Sequence, residues 1–326
     1  MAFSRFLRLC ASSAPIVLTL VAFSLTSCGR QSSLVVTLDE DQPVVENAPV
    51  AETPSDAAPS SDAAPVQTPD AESAPSVSWK IDDEKGTLEI TGSGVFDGFG
   101  ADFDKSRLAK IKVVRGSGAI SADGLRVFAE TPQLVEFLWL GATFPEGDAA
   151  RDAFRVVVAS APKLRKVRLA GLKLQDGEFP DYVMQTLAQA PNLQELDLSG
   201  SALTSEDLAP LASSGAFPKL AKLTFYQTSV DDQGVDTILP LADRITWLNL
   251  DDTKITPQVA PTLEQFANLT FLHVGRTTLD DSCVDSLAKL TKLEKIHVTR
   301  SNVTETGADK LRAALPNCAV ISQPEN

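Results

Sequence analysis

One short pattern returns five times between residues 193 and 303, and it leaves this chain few ways to fold. Counted from a first apolar residue at position zero (Leu193, Leu220, Ile245, Leu269, Leu293), the copies are spaced by 27, 25, 24 and 24 residues. Position three is Leu196, Leu223, Leu248, Leu272 and Ile296, and position five is Leu198, Phe225, Leu250, Val274 and Val298. Position eight is a hydroxyl in every copy: Ser201, Thr228, Thr253, Thr277 and Ser301. Position ten is again apolar, from Leu203 to Val303, and so is position eighteen, from Leu211 to Leu311.

Apolar residues at positions three and five, with polar ones between, are what a short strand with one buried face requires. Position eleven then offers Thr204, Asp231, Thr256, Asp280 and Thr304, residues whose side-chain oxygens cap the free backbone N–H groups of a helix start. Apolar residues at positions fifteen and eighteen, such as Val235 and Ile238, share one helix face. Each unit is therefore strand, turn, capped helix and return. No unit covers its own apolar edge, so neighbours must stack.

The pattern resembles the leucine-rich repeat, L-x-x-L-x-L-x-x-N/T-x-L, in a short-period form of bacterial proteins related to ribonuclease-inhibitor-like repeats. The resemblance implies an α/β fold: a right-handed solenoid with a concave parallel β-sheet and convex helices across residues 108–326. The copies before Leu193 are less regular. Leu108, Ile111 and Val113 fit one, and Leu164, Val167 and Leu169 another. The copy between can begin at Leu134, placing Phe137 and Trp139 inside, or at Val135, placing Leu138 and Leu140 inside. The second frame restores the hydroxyl at Thr143 and is preferred, at the expense of exposing Trp139. Residues 77–107 read as an N-terminal β-hairpin cap, two strands around a polar turn at Asp82 to Lys85, and a last strand from Cys318 to Ile321 closes the sheet.

The start of the chain has another character. Arg5 and Arg8 precede a mostly apolar run from Ile16 to Leu25, too short for a comfortable transmembrane helix, so residues 1–27 read as a signal peptide. It ends in Leu25-Thr26-Ser27-Cys28, which looks like a bacterial lipobox; that resemblance implies cleavage before Cys28, lipidation there, and a cell-envelope, extracytoplasmic location. Gly29 after the cysteine favours the outer over the inner membrane by the family rule. Residues 28–76 form a Pro/Ala/Ser tether with nine carboxylates and no lysine or arginine after Arg30, a composition that favours disorder. The whole chain carries −14, but residues 77–326 only −8. Neither part presents a basic patch, which argues against nucleic acid.

Four cysteines are present. Cys10 belongs to the signal segment and Cys28 to the lipid anchor, leaving Cys283 and Cys318, which the repeat spacing holds too far apart to bridge; two buried free thiols are expected. The residues able to carry function point out of the sheet. They are Tyr226, Trp247, Asn249, Asp251, Phe271, His273, Arg276, Lys295, His297 and Arg300, with Trp247 and Phe271 on adjacent strands and both histidines beside them. Aromatic residues with arginine are favoured interface anchors, so the expected partner is an unidentified envelope protein bound by a monomer. A passive spacer is the alternative. No cofactor or metal is expected: two imidazoles with Asn249 and Asp251 are too few ligands, and both histidines should be solvated and titrate near pH 6.5. The Asp231-Asp232 and Asp280-Asp281 pairs read as helix caps. Neither a G-x-S-x-G nor an H-E-x-x-H motif occurs, so no catalysis is expected.

Overall fold

The computed structural model describes residues 76–213 and 215–322. The signal segment, Cys28 and the tether before residue 76 lie outside the described residues. Eleven strands form one sheet in chain order. β1 (Val77–Asp82) pairs antiparallel with β2 (Thr87–Gly92), and every later strand runs parallel to its predecessor. These are β3 (Val113–Ala119), β4 (Glu136–Thr143), β5 (Lys166–Ala170), β6 (Glu195–Asp197), β7 (Lys222–Thr224), β8 (Trp247–Asn249), β9 (Phe271–His273), β10 (Lys295–His297) and β11 (Ala319–Ile321). The chain thus folds as an α/β leucine-rich repeat solenoid. Like positions pair with like: Leu196, Leu223, Leu248, Leu272 and Ile296 lie in one row and are fully buried.

The hydroxyl at position eight closes the turn after each strand. Ser201, Thr228, Thr253, Thr277 and Ser301 each donate to the position-five carbonyl three residues back, at 2.6 to 2.7 Å. That carbonyl ends the strand where the chain turns inward; in the first and last copies it also accepts from the backbone N–H of Ser201 and Ser301, and in the other three the hydroxyl is its donor. Thr253→Val keeps the shape and removes the bond, so we expect about 1–2 kcal/mol lower stability by urea unfolding. An unchanged midpoint would show that the carbonyl finds water.

Helix length varies from repeat to repeat. The 30 residues from Leu134 to Leu164 house the 14-residue helix α2 (Gly147–Ser160), preceded by α1 (Ala122–Val127) and followed by α3 (Asp181–Leu187). The two 24-residue steps each hold a 3₁₀ turn followed by one α-turn, α5 (Ala260–Leu263) and α6 (Val284–Leu287); they come after α4 (Asp232–Thr237), and the 25-residue step that follows them holds the ten-residue α7 (Glu305–Ala314). The segment Glu206–Ala212 stays 3₁₀, with Pro210 inside it removing a helical donor. Asp231, Thr256, Asp280 and Thr304 do accept from the first-turn N–H groups; Thr204 instead donates to Asp207. The second member of each aspartate pair works laterally. Asp232 accepts from the backbone N–H and hydroxyl of Thr256, and Asp281 does the same for Thr304, which holds the Asp281 carboxyl below its usual pKa range.

Three expectations need correction. Trp139 is fully buried, together with Leu134 and Phe137, whereas Leu140 is 48% exposed; the frame starting at Leu134 is the one adopted. Gly116 makes the room. It pairs with Trp139 across β3 and β4, and a Cβ there would lie 2.3 Å from the indole ring, whose Nε1 donates to Gly118. For the same reason the preceding copy is Ile111, Val114 and Gly116, not Leu108, Ile111 and Val113: Val113 pairs with Glu136, an outward position, and Leu108 packs from a 3₁₀ turn. β2 also takes part in the parallel sheet, with Leu88 and Ile90 in the buried row and Leu88 opposite Val114. Only β1 is outside the repeat, and Trp79 on it packs edge-on against Phe99 and Phe103. Cys283 is a buried free thiol and Cys318 a half-buried one, both with pKa raised by burial.

Candidate interaction surface

Three-residue strands leave positions two and four on the open face of the sheet. In β5 and β6 these are charged and satisfy each other, Lys166 with Glu195 at 2.6 Å and Arg168 with Asp197 at 3.0 Å. From β7 onward the face changes character. The β8–β9 register sets Trp247 opposite Phe271 and Asn249 opposite His273, and the β9–β10 register sets His273 opposite His297. Because adjacent strands are about 4.8 Å apart, flat rings at one register position can lie face to face. Trp247 and Phe271 do so, with centroids 3.6 Å apart and planes 8° from parallel.

The stack is flanked by charge. Lys222 Nζ lies 5.5 Å from the Trp247 ring, and His297 tilts against both Phe271 (5.7 Å) and His273 (4.5 Å). Trp247 keeps 36% of its surface exposed, so its rings neither lie flat over the strands nor vanish into the core. Arg276 stands over Tyr226 at 5.1 Å and donates to Asp251 Oδ2. Asp251 is 4% exposed: it anchors Arg276 from below, and is not presented to a partner. Burial outweighs the arginine and raises the Asp251 carboxyl above its ordinary range.

His273 departs from the solvated titration expected of it. Burial, with the neighbouring His297, Arg276 and Lys295, pushes its pKa down to about 4. Its Nδ1 lies 3.7 Å from Asp251 Oδ2, too long for a hydrogen bond, and its Nε2 has no hydrogen-bond partner in the structure. The unfolded chain takes up a proton near pH 6.5 that the folded chain refuses until about pH 4. Stability contributed by the neutral imidazole is therefore present above pH 6.5 and declines as pH falls between those values, by up to ~3 kcal/mol. Urea midpoints at pH 7 and pH 4.5 should differ less in His273→Gln than in the parent. Equal differences would mean that carboxylates alone set the acid limb.

One common feature was missed from the sequence. Position seven adopts a positive-φ backbone in eight consecutive repeats: Gly118, Gly141, Gly171, Gly200, Gln227, Asp252, Arg276 and Arg300. The first four are glycines, for which this conformation is free; the last four carry side chains and are strained there. A strained backbone persists only where its surroundings hold it, commonly at functional surfaces. In Arg276 the strain accompanies the Asp251 and Tyr226 contacts. The residues Trp247, Phe271, His273 and His297 are brought together as one contiguous group, Tyr226, Asp251 and Arg276 as a second beside it, while Arg300 stands exposed at the turn after β10.

No protein-family model matches the sequence, and no curated protein does. Among solved structures the chain is similar to internalin C2 of Listeria monocytogenes, at 17% identity over 68% of this chain and 84% of that one, with a TM-score of 0.47. It is also similar to an internalin, inlF, of the same organism at 14% identity, over 68% of this chain and 57% of that one, again with a TM-score of 0.47. This chain thus spans little more than half the length of the second.

Proposed function

We propose that this protein is an extracytoplasmic, lipid-anchored adaptor that captures a protein partner on the open face of β7 to β10. The observation that carries the reading is the Trp247–Phe271 stack, an aromatic rib with Lys222 against the Trp247 ring, accompanied by Arg276 over Tyr226. Interfaces concentrate binding energy in a few aromatic and arginine anchors. The charged face of β5 and β6, paired within itself, gives the contact a polar margin. Anchoring rests on the sequence alone: Arg5, Arg8, the apolar run to Leu25, and Cys28. No helix among the described residues is long and apolar enough to cross a membrane.

The test is the double substitution Trp247→Ser and Phe271→Ser. We expect loss of a saturable crosslinked partner from envelope extract, with thermal stability reduced by no more than ~2 kcal/mol, because both rings stand outside the core. Retention of the partner at wild-type levels would move the binding site elsewhere. If the wild-type protein captures none, it is a passive spacer. For the anchor, Cys28→Ser should release the protein from membranes, read by fractionation, and mass spectrometry of the mature N-terminus should find acyl chains on Cys28 in the parent only.

A further inference from the structure

The basic residues of this acidic chain form no run in the sequence, yet the stacking of repeats gathers them along one rim. Position one of each repeat is joined to the next by a backbone hydrogen bond, in an unbroken row: Val135 to Lys112, Arg165 to Val135, Gln194 to Arg165, and onward to Glu294 and Ala319. The residues just before position zero form a second row beside it through their side chains. Lys163 donates to Gln133, Lys219 to Asn192, Lys292 to Asn268, and Arg244 to the carbonyl oxygens of Ala216 and Phe217. From β3 to β10 these two rows hold Lys110, Lys112, Lys163, Arg165, Lys219, Arg244 and Lys292, against one carboxylate, Glu294. Six of the seven cations are exposed. The partners named for Lys163, Lys219, Lys292 and Arg244 are neutral oxygens, which fix the side chains in place without cancelling their charge.

The opposite rim, where the helices begin, carries the reverse sign, with Glu206, Asp207, Asp231, Asp232, Asp280 and Asp281 among its residues. The folded unit is therefore polarised across its width, with a row of cations about 34 Å long on one rim, seven strand spacings of about 4.8 Å. We propose that this rim docks the protein on an anionic lipid surface. Two observations favour lipid over a protein. The exposed large apolar side chains among the described residues are Trp79, Val95, Leu140 and Trp247, none of them on the rim, so it lacks the anchors a protein interface uses. A bilayer of anionic headgroups asks only for cations in a line, and each lysine or arginine that reaches it adds attraction that salt screens. The inference stands apart from the proposed capture of a partner, which uses the open face, and from acylation, which uses Cys28.

The experiment uses the full chain carrying Cys28→Ser, so that no acyl chain contributes, and vesicles of equal parts phosphatidylglycerol and phosphatidylcholine. We expect binding in excess of that to phosphatidylcholine alone, weakening as salt is raised. Replacing Lys112, Lys163, Arg165 and Lys219 together by Gln should reduce that excess at least ~10-fold. Replacing Arg151, Arg155, Lys254 and Lys310 by Gln changes the net charge equally but leaves the rim intact, and should reduce it less than ~3-fold. Circular dichroism confirms that each variant is folded. Equal losses in the two sets, or no excess binding to anionic vesicles, overturn the proposal. So does a rim set that releases an acidic soluble protein from the parent while leaving vesicle binding unchanged, which would make the rim a protein interface.

Discussion

Trp139→Ala should be among the most damaging single substitutions in the chain, lowering stability by about 3–5 kcal/mol. The indole is completely buried, packs against Phe96, Phe128 and Phe137, and donates through Nε1 to the Gly118 carbonyl at 2.8 Å. Truncation removes the apolar contacts and orphans a main-chain acceptor at once. The surroundings cannot collapse into the gap, because Gly116 on the facing strand has no side chain to offer. The reciprocal change should also be severe: Gly116→Val drives branched methyl groups into the ring. Chemical denaturation followed by near-ultraviolet circular dichroism measures both. A loss below ~1 kcal/mol for Trp139→Ala would mean that the β3–β4 layer is loosely packed.

Leu248→Ala should cost about 2–5 kcal/mol and do something Trp139→Ala does not. Leu248 sits in the buried row of β8 between Leu223 and Leu272, with no surface exposed. In a stack where each repeat touches only its neighbours, a weak layer in the middle divides the cooperative unit. We expect the single unfolding transition to broaden or split, with amides of β9 to β11 exchanging before those of β3 to β5 in native-state hydrogen exchange. A sharp, merely shifted transition would show that interface energies exceed the defect.

The repeat was legible in the sequence because its demands are chemical and local. A hydroxyl three residues after the position-five carbonyl, or an apolar residue at position three, is required in each copy by that copy's own strand and turn. The failures were non-local. Whether Leu134 or Val135 opens its repeat depends on Gly116, 23 residues from Trp139, and nothing near Trp139 announces that space. The hairpin of β1 and β2 was read correctly, but the parallel pairing of β2 with β3 was not, because a hairpin strand and a first repeat strand look the same until the strand after it is placed. At the candidate surface, register alone put Trp247 beside Phe271 and His273 beside His297. It could not foresee that Asp251 is buried or that His273 resists protonation, since both follow from which side chains close over them. The left-handed position was hidden because glycine, glutamine, aspartate and arginine share no chemistry, only a backbone angle.

Lateral bonds to carboxylates fasten neighbouring repeats along the solenoid. Asp232 ties the β7 repeat to the β8 repeat, and Asp281 ties the β9 repeat to the β10 repeat. Across the seam between β8 and β9, the side chains on the open face take part in the fastening: the Trp247–Phe271 stack and the Arg276–Asp251 bond both cross it. Lys289 also bonds Glu264 across this seam on the helix side, so its stiffness is set in part from the face where we place the partner. A ligand that wedges into the aromatic stack would loosen this joint, and one that clamps over both rings would lock it, so that occupancy is transmitted as a change in bending between the two ends of the repeat array.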